Sequence, residues 1–99
     1  MPVKARTVRL TPLAETDLED IWTYTYEHWS LEQAELYVGE LTEAFERLAS
    51  GERVGRPTRA RGDYLRYLVG SHVVFYREAT ETLDVIRVLH QRMDVDRHL

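Results

Sequence analysis

Hydrophobic and polar positions recur with different periods along this chain, and each change of period marks an element. "KARTVRLT" (residues 4–11) sets Ala5, Thr7 and Arg9 against Arg6, Val8 and Leu10, an alternation that predicts a strand. At Thr11-Pro12 the pattern changes. Ala14, Leu18, Ile21, Trp22, Thr25 and Trp29 follow at helical spacing, which predicts a helix with one apolar stripe. Thr11 is its candidate N-cap, and Pro12 takes the first helical position, where a missing N–H does no harm. Glu15, Asp17, Glu19 and Asp20 suit the positive end of the helix dipole.

"SLEQ" (30–33) has the form of a capping box, with Ser30 at the N-cap and Gln33 three residues on. The second predicted helix carries Ala34, Tyr37, Val38, Leu41, Ala44, Phe45 and Leu48 on one face. Gly39 interrupts it at a cost of about 1 kcal/mol relative to alanine, and is expected where the helices approach closely. Gly51 is the candidate C-terminal cap. So little chain separates the helices that an antiparallel hairpin is expected. Trp22, Trp29, Tyr37 and Phe45 are expected in the core.

Residues 52–63, "ERVGRPTRARGD", lack periodicity and read as loop. Three strands are predicted after it, at 64–69, 72–77 and 82–90, the first two joined by a Gly70-Ser71 turn. The middle strand is apolar on both faces and should lie centrally. The order β-α-α-β-β-β describes a single α+β domain over residues 1–99, a helical hairpin packed on a small antiparallel sheet.

Charge changes this picture. The net charge is −4, but residues 12–50 hold ten acidic residues against Arg47 alone, whereas residues 53–66 hold five arginines against Asp63. An acidic chain is a poor general binder of nucleic acid, whose affinity comes largely from neutralised phosphates; no direct nucleic-acid binding is expected. The arginine stretch suits paired hydrogen bonds to carboxylate or phosphate. There are no cysteines, and the longest apolar run, Val73 to Tyr76, cannot span a membrane. The N-terminus lacks a signal-peptide pattern, so a cytoplasmic location is expected.

The search for chemistry narrows to the end of the chain. His28, His72, His90 and His98 lack zinc-site spacing, and His90 with Asp94 is an isolated HxxxD pair, so neither metal nor cofactor is expected. No phosphate-binding glycine loop or nucleophile elbow is present. In "VIRVLHQRMDVDRHL" (85–99) a β-branched run passes into a polar cluster with no turn signal. Arg66, Arg77, Arg87, His90 and Arg92 lie on or just after the last three strands. A histidine titrating near neutrality beside cations is what a metal-free ribonuclease needs. The alternative is that these arginines pair with Asp84, Asp94 and Asp96.

Five segments carry a resemblance: "RLTPLAETDLEDIW" (9–22), "WSLEQAELYVGEL" (29–41), "GRP" (55–57), "GSHVVFYR" (70–77) and "IRVLHQRMDVDRHL" (86–99). In this order they resemble the ParE branch of the RelE/ParE toxin superfamily. The resemblance implies the toxin half of a type II toxin–antitoxin module of the plasmid-stabilisation type, with a ParD-like antitoxin. ParE toxins are held to inhibit DNA gyrase and have no established catalytic residues. RelE toxins cut mRNA on the ribosome, with basic residues from the sheet and a C-terminal tyrosine or histidine. This chain is acidic and has no tyrosine after Tyr76, which favours gyrase inhibition. An RNA-cleaving protein and a non-toxic antitoxin binder are the alternatives. Target-contact candidates are Arg66, Arg87, His90, Gln91, Arg92 and Asp94. Antitoxin-contact candidates are Arg53, Arg56, Arg59, Arg61, Tyr24 and Tyr37.

Overall fold

Strand β1 (Thr7–Leu10) leads into helix α1 (Pro12–His28) through Thr11 in the computed structural model, which describes residues 5–59, 62–93 and 95–99. The Thr11 hydroxyl accepts the Ala14 N–H at 3.0 Å and donates to the Ile86 carbonyl at 2.7 Å. The N-cap therefore also fastens the helix start to the sheet. Helix α2 (Leu31–Ser50) begins as expected at Ser30, whose Oγ accepts the Gln33 N–H at 3.0 Å. It ends at Gly51, which takes the left-handed conformation with φ 82°. Only Trp29 and Ser30 separate the helices, and they pack against one another as a hairpin.

Strands β2 (Arg56–Pro57), β3 (Leu65–Val69), β4 (His72–Glu78) and β5 (Thr82–His90) complete a sheet of order β1-β5-β4-β3-β2. The apolar strand β4 is central, as its sequence predicts. Strands β2 to β5 pair antiparallel, but β1 lies parallel to β5, from Thr7 opposite Thr82 to Leu10 opposite Val85. Alternation reports which face a side chain occupies and is silent on strand direction. Strand β2 falls where a loop was expected. Two residues carry no period; this strand forms because Gly55 seats against its neighbours, its N–H donating to Tyr76 Oη at 2.7 Å. A Cβ at Gly55 would come within 2.7 Å of the same oxygen. Pro57 is tolerated because β2 is an edge strand.

The main core lies between the hairpin and one face of the sheet. Ala14, Ile21, Leu41, Phe45 and Leu48 meet Val74, Tyr76, Leu83, Val85 and Val88. Alternation puts Val73, Phe75 and Leu89 on the other face, where Val95 and Leu99 pack against them. Those two residues belong to or follow helix α3 (Val95–His98), an element that no sequence period announces. Phe45 is buried as expected, but Trp22 and Tyr37 are only half-buried and Trp29 is 75% exposed. Trp29 is the C-cap of α1, outside the helical spiral, so helical spacing does not apply to it. Gly39 faces open space and marks no close helix contact.

Candidate protein-contact site

The end of the hairpin, the β3–β4 turn and the end of β5 enclose a cleft of about 450 Å³. Tyr24, Thr25 and Trp29 line one side, Gln33 and Tyr37 a second, and Ser71, His72 and His90 a third. Tyr37 holds it together. Its Oη accepts the Ser71 N–H at 3.0 Å and lies 2.6 Å from His72 Nδ1, with the Val69 carbonyl farther off at 3.4 Å. In the short contact the phenol and the imidazole share one proton position, and the ring's tautomer sets which of them donates. Gly70, at φ 57°, is required twice in this turn: for its backbone conformation, and because a Cβ would meet the Tyr37 ring at 2.7 Å.

His72 and His90 are register partners across β4 and β5, and their rings meet edge to face at 5.4 Å. His90 Nδ1 accepts the Arg92 N–H at 3.1 Å. Burial raises the Tyr37 pKa; the Ser71 hydrogen bond opposes this and the charge of Glu40 adds to it. His72 is held below the ordinary imidazole value, chiefly by burial and then by His90, against a smaller opposing pull from Asp17.

This depression has a sign that can be tested. As pH falls through about 6.5, the unfolded chain binds a proton that folded His72 still refuses. Its contribution to stability is therefore complete above that pH and declines below it until the folded value is reached. His72→Gln keeps a hydrogen-bonding partner for Tyr37 but does not titrate. Urea unfolding at about pH 7.5 and about pH 5.5 should show the wild type losing more stability than the variant. Equal losses would exclude this role for His72.

A second concavity, of about 800 Å³, lies on the far side of the sheet. Arg56, Arg59 and Arg66 line it together with Val54, Leu68 and Val95. All three arginines are exposed, and none enters an ion pair among the described residues. Three exposed guanidinium groups beside an apolar floor, with Asp96 also in the lining, suit a ligand bearing carboxylates and apolar side chains.

The other candidate residues are spread around these two sites. Arg87 is bound up internally: its Nε and Nη2 each donate to Asp17 at 2.8 Å, and Nη1 donates to the His98 carbonyl at 3.2 Å. Asp17 also accepts the Val88 N–H at 2.9 Å, beside the register shift in β5. The Arg87 and Asp17 side chains are only 15% and 12% exposed. Of the expected arginine pairings, Arg77 meets Asp84 at 3.4 Å. Gln91 and Arg92 are exposed beside His90, with the Gln91 N–H donating to the Ser71 carbonyl at 2.9 Å. Arg53 is exposed but outside the arginine-lined concavity. Arg61 and Asp94 lie outside the described residues.

Sequence reasoning passed over Asp17, His72 and the exposure of Trp29. Asp17 left a signal, since it sits within the apolar stripe of Ala14, Leu18 and Ile21, where a carboxylate needs a partner. Among the described residues, no three histidine, aspartate or glutamate side chains gather as metal ligands. No helix among them is long and apolar enough to cross a membrane.

Comparison with known proteins places this architecture. The family model described as the ParE toxin of type II toxin–antitoxin systems, parDE, matches residues 8–95. Toxin ParE1 of Mycobacterium tuberculosis is 50% identical over 92 residues, covering 91% of this chain and 94% of that protein. Toxin ParE1 of Caulobacter vibrioides is 45% identical over 92 residues, covering 92% and 95%. The solved chromosomal ParDE system of P. aeruginosa shares the fold, with a TM-score of 0.76 at 17% identity over 87% of this chain and 96% of that one. The RelBE2 toxin–antitoxin complex of M. tuberculosis aligns with a TM-score of 0.65 at 26% identity over 89% and 100%. With a matching model over nearly its whole length and close relatives of equal extent, the chain belongs to the ParE toxin family of type II toxin–antitoxin systems.

Proposed function

We propose that this protein inhibits DNA gyrase by binding it, without chemistry of its own, and is neutralised by a ParD-like antitoxin. One observation carries the choice against RNA cleavage. His90 lines the hairpin-side cleft, whereas Arg66 lines the concavity on the other face and Arg87 is engaged by Asp17. His90 is thus held apart from Arg66 and Arg87, two of the cations that a ribonuclease would combine with it around one phosphate. Of the candidate target contacts, only Arg92 adjoins it as a cation. Among the described residues, no arginine lines the cleft.

The same layout supports an antitoxin that wraps the molecule. Exposed Leu13, Tyr24, Trp29, Leu31 and Leu36 on and beside the hairpin offer apolar contacts for an amphipathic helix. The arginine-lined concavity suits an acidic extended continuation of the same chain. Tyr24 and Tyr37 share their cleft with His90, so an antitoxin seated there would cover a target-contact candidate. Neutralisation follows by occlusion.

The decisive experiment sets a supercoiling assay with purified gyrase beside an in vitro translation assay. Toxin should suppress supercoiling while translation continues, and added antitoxin should restore supercoiling. Rapid ribosome-dependent loss of mRNA would replace this reading with the RelE-type activity. A chain that binds antitoxin but affects neither assay would be a non-toxic binder.

A further inference from the structure

The hairpin-side cleft is aromatic on two sides, yet it lies in the most acidic part of an acidic chain. Trp29 is 75% exposed and Tyr24 is 60% exposed at its mouth, with one face of the Tyr24 ring stacked on His28 and the other open to a ligand. Tyr37 forms the second aromatic side, fixed by Ser71 and His72. The helices around it hold ten acidic residues against one arginine between residues 12 and 50. Glu40, on the same helix as Tyr37, adds to the upward shift of the Tyr37 hydroxyl that burial causes.

These features select among ligand chemistries. A carboxylate or phosphate would meet the field of these acidic helices with no lysine or arginine among the described residues that line the cleft, Arg92 being the nearest beside His90. The imidazoles offer little to an anion, because His72 is partly buried with its Nδ1 engaged by Tyr37, and His90 Nδ1 is taken by a backbone N–H. A plain apolar side chain would gain from the rings but nothing from the field. A planar cation gains from both. Guanidinium is weakly hydrated and stacks on aromatic faces, so it leaves water for such a cleft more readily than ammonium does. We propose that the cleft receives an arginine side chain presented by a protein partner, its guanidinium lying against Trp29 and Tyr24. The proposal rests on the cleft being a protein-contact surface and adds the residue type it reads.

An NMR titration of the intact chain tests it with three blocked amino acids: N-acetyl-arginine methylamide, its citrulline counterpart of the same shape without charge, and the glutamate counterpart. The indole N–H of Trp29 is the reporter, and Trp22, the other tryptophan, is the internal reference. The arginine probe should move the Trp29 signal and the His72 and His90 ring signals saturably. It should bind about fivefold more tightly than the citrulline probe, the upper ratio that a cation–π contact at an exposed site supports. Trp29→Ala, at a position already in solvent, should keep the fold and lose the arginine-induced shifts of both histidines. An equal response to arginine and citrulline, a stronger response to glutamate, or unchanged histidine shifts in Trp29→Ala would overturn the proposal. Failure here leaves the gyrase and antitoxin assays to be read independently. A chain that inhibits gyrase but ignores the arginine probe would refute only the cleft chemistry. One that binds the probe but does not inhibit gyrase would refute only the proposed target.

Discussion

Replacing Asp17 with alanine should lower the stability of this protein by about 3 kcal/mol, the loss typical of breaking a buried ion pair from one side. Such a loss is a large fraction of the roughly 5–15 kcal/mol available to a small domain. The reason is local. Asp17 accepts two hydrogen bonds from Arg87 and one from the Val88 N–H. Removing it strands a guanidinium that is 15% exposed and leaves a strand N–H without its acceptor. Three elements loosen together, because the pair joins α1 to β5 and Arg87 also holds the carbonyl of His98 at the end of α3. Urea unfolding should show a lower midpoint with an unchanged slope. The double replacement Asp17→Leu with Arg87→Met should recover much of the loss, since two apolar side chains leave no stranded charge. A loss below about 1 kcal/mol for Asp17→Ala would place the pair among solvated surface bridges instead.

His90→Gln should leave toxicity largely intact. The variant side chain can accept the Arg92 N–H as His90 Nδ1 does, so the end of β5 keeps its local bond. What it cannot do is exchange a proton near neutral pH. A ribonuclease using His90 as acid or base would lose about two to four orders of magnitude in rate, whereas a binding inhibitor would change its affinity only modestly. The comparison is made on folded protein that still binds antitoxin, with growth arrest and gyrase inhibition as readouts. A folded, antitoxin-binding His90→Gln chain that is wholly inert would restore the catalytic reading of this segment.

Local chemistry was legible in the sequence wherever a few neighbouring residues settle the backbone. Thr11 and Ser30 start the helices, Gly51 ends the second, and Gly70 turns β3 into β4, all as expected from residue type. The apolar periods also named most of the core and put β4 at the centre of the sheet. The same reasoning identified Tyr37 and His90 separately, and their chain neighbours gave no sign that they line one cleft. Tertiary structure alone decided the parallel pairing of β1, the two-residue strand β2, the Asp17–Arg87 pair and the separation of Arg66 from His90. The physical reason is the range of the interactions. A cap or a turn is stabilised by atoms within about four residues, so its residues announce it. Tyr37 meets His72 across 35 positions and Asp17 meets Arg87 across 70. A period in the sequence assigns such residues to a face; only packing the hairpin on the sheet chooses what they meet there.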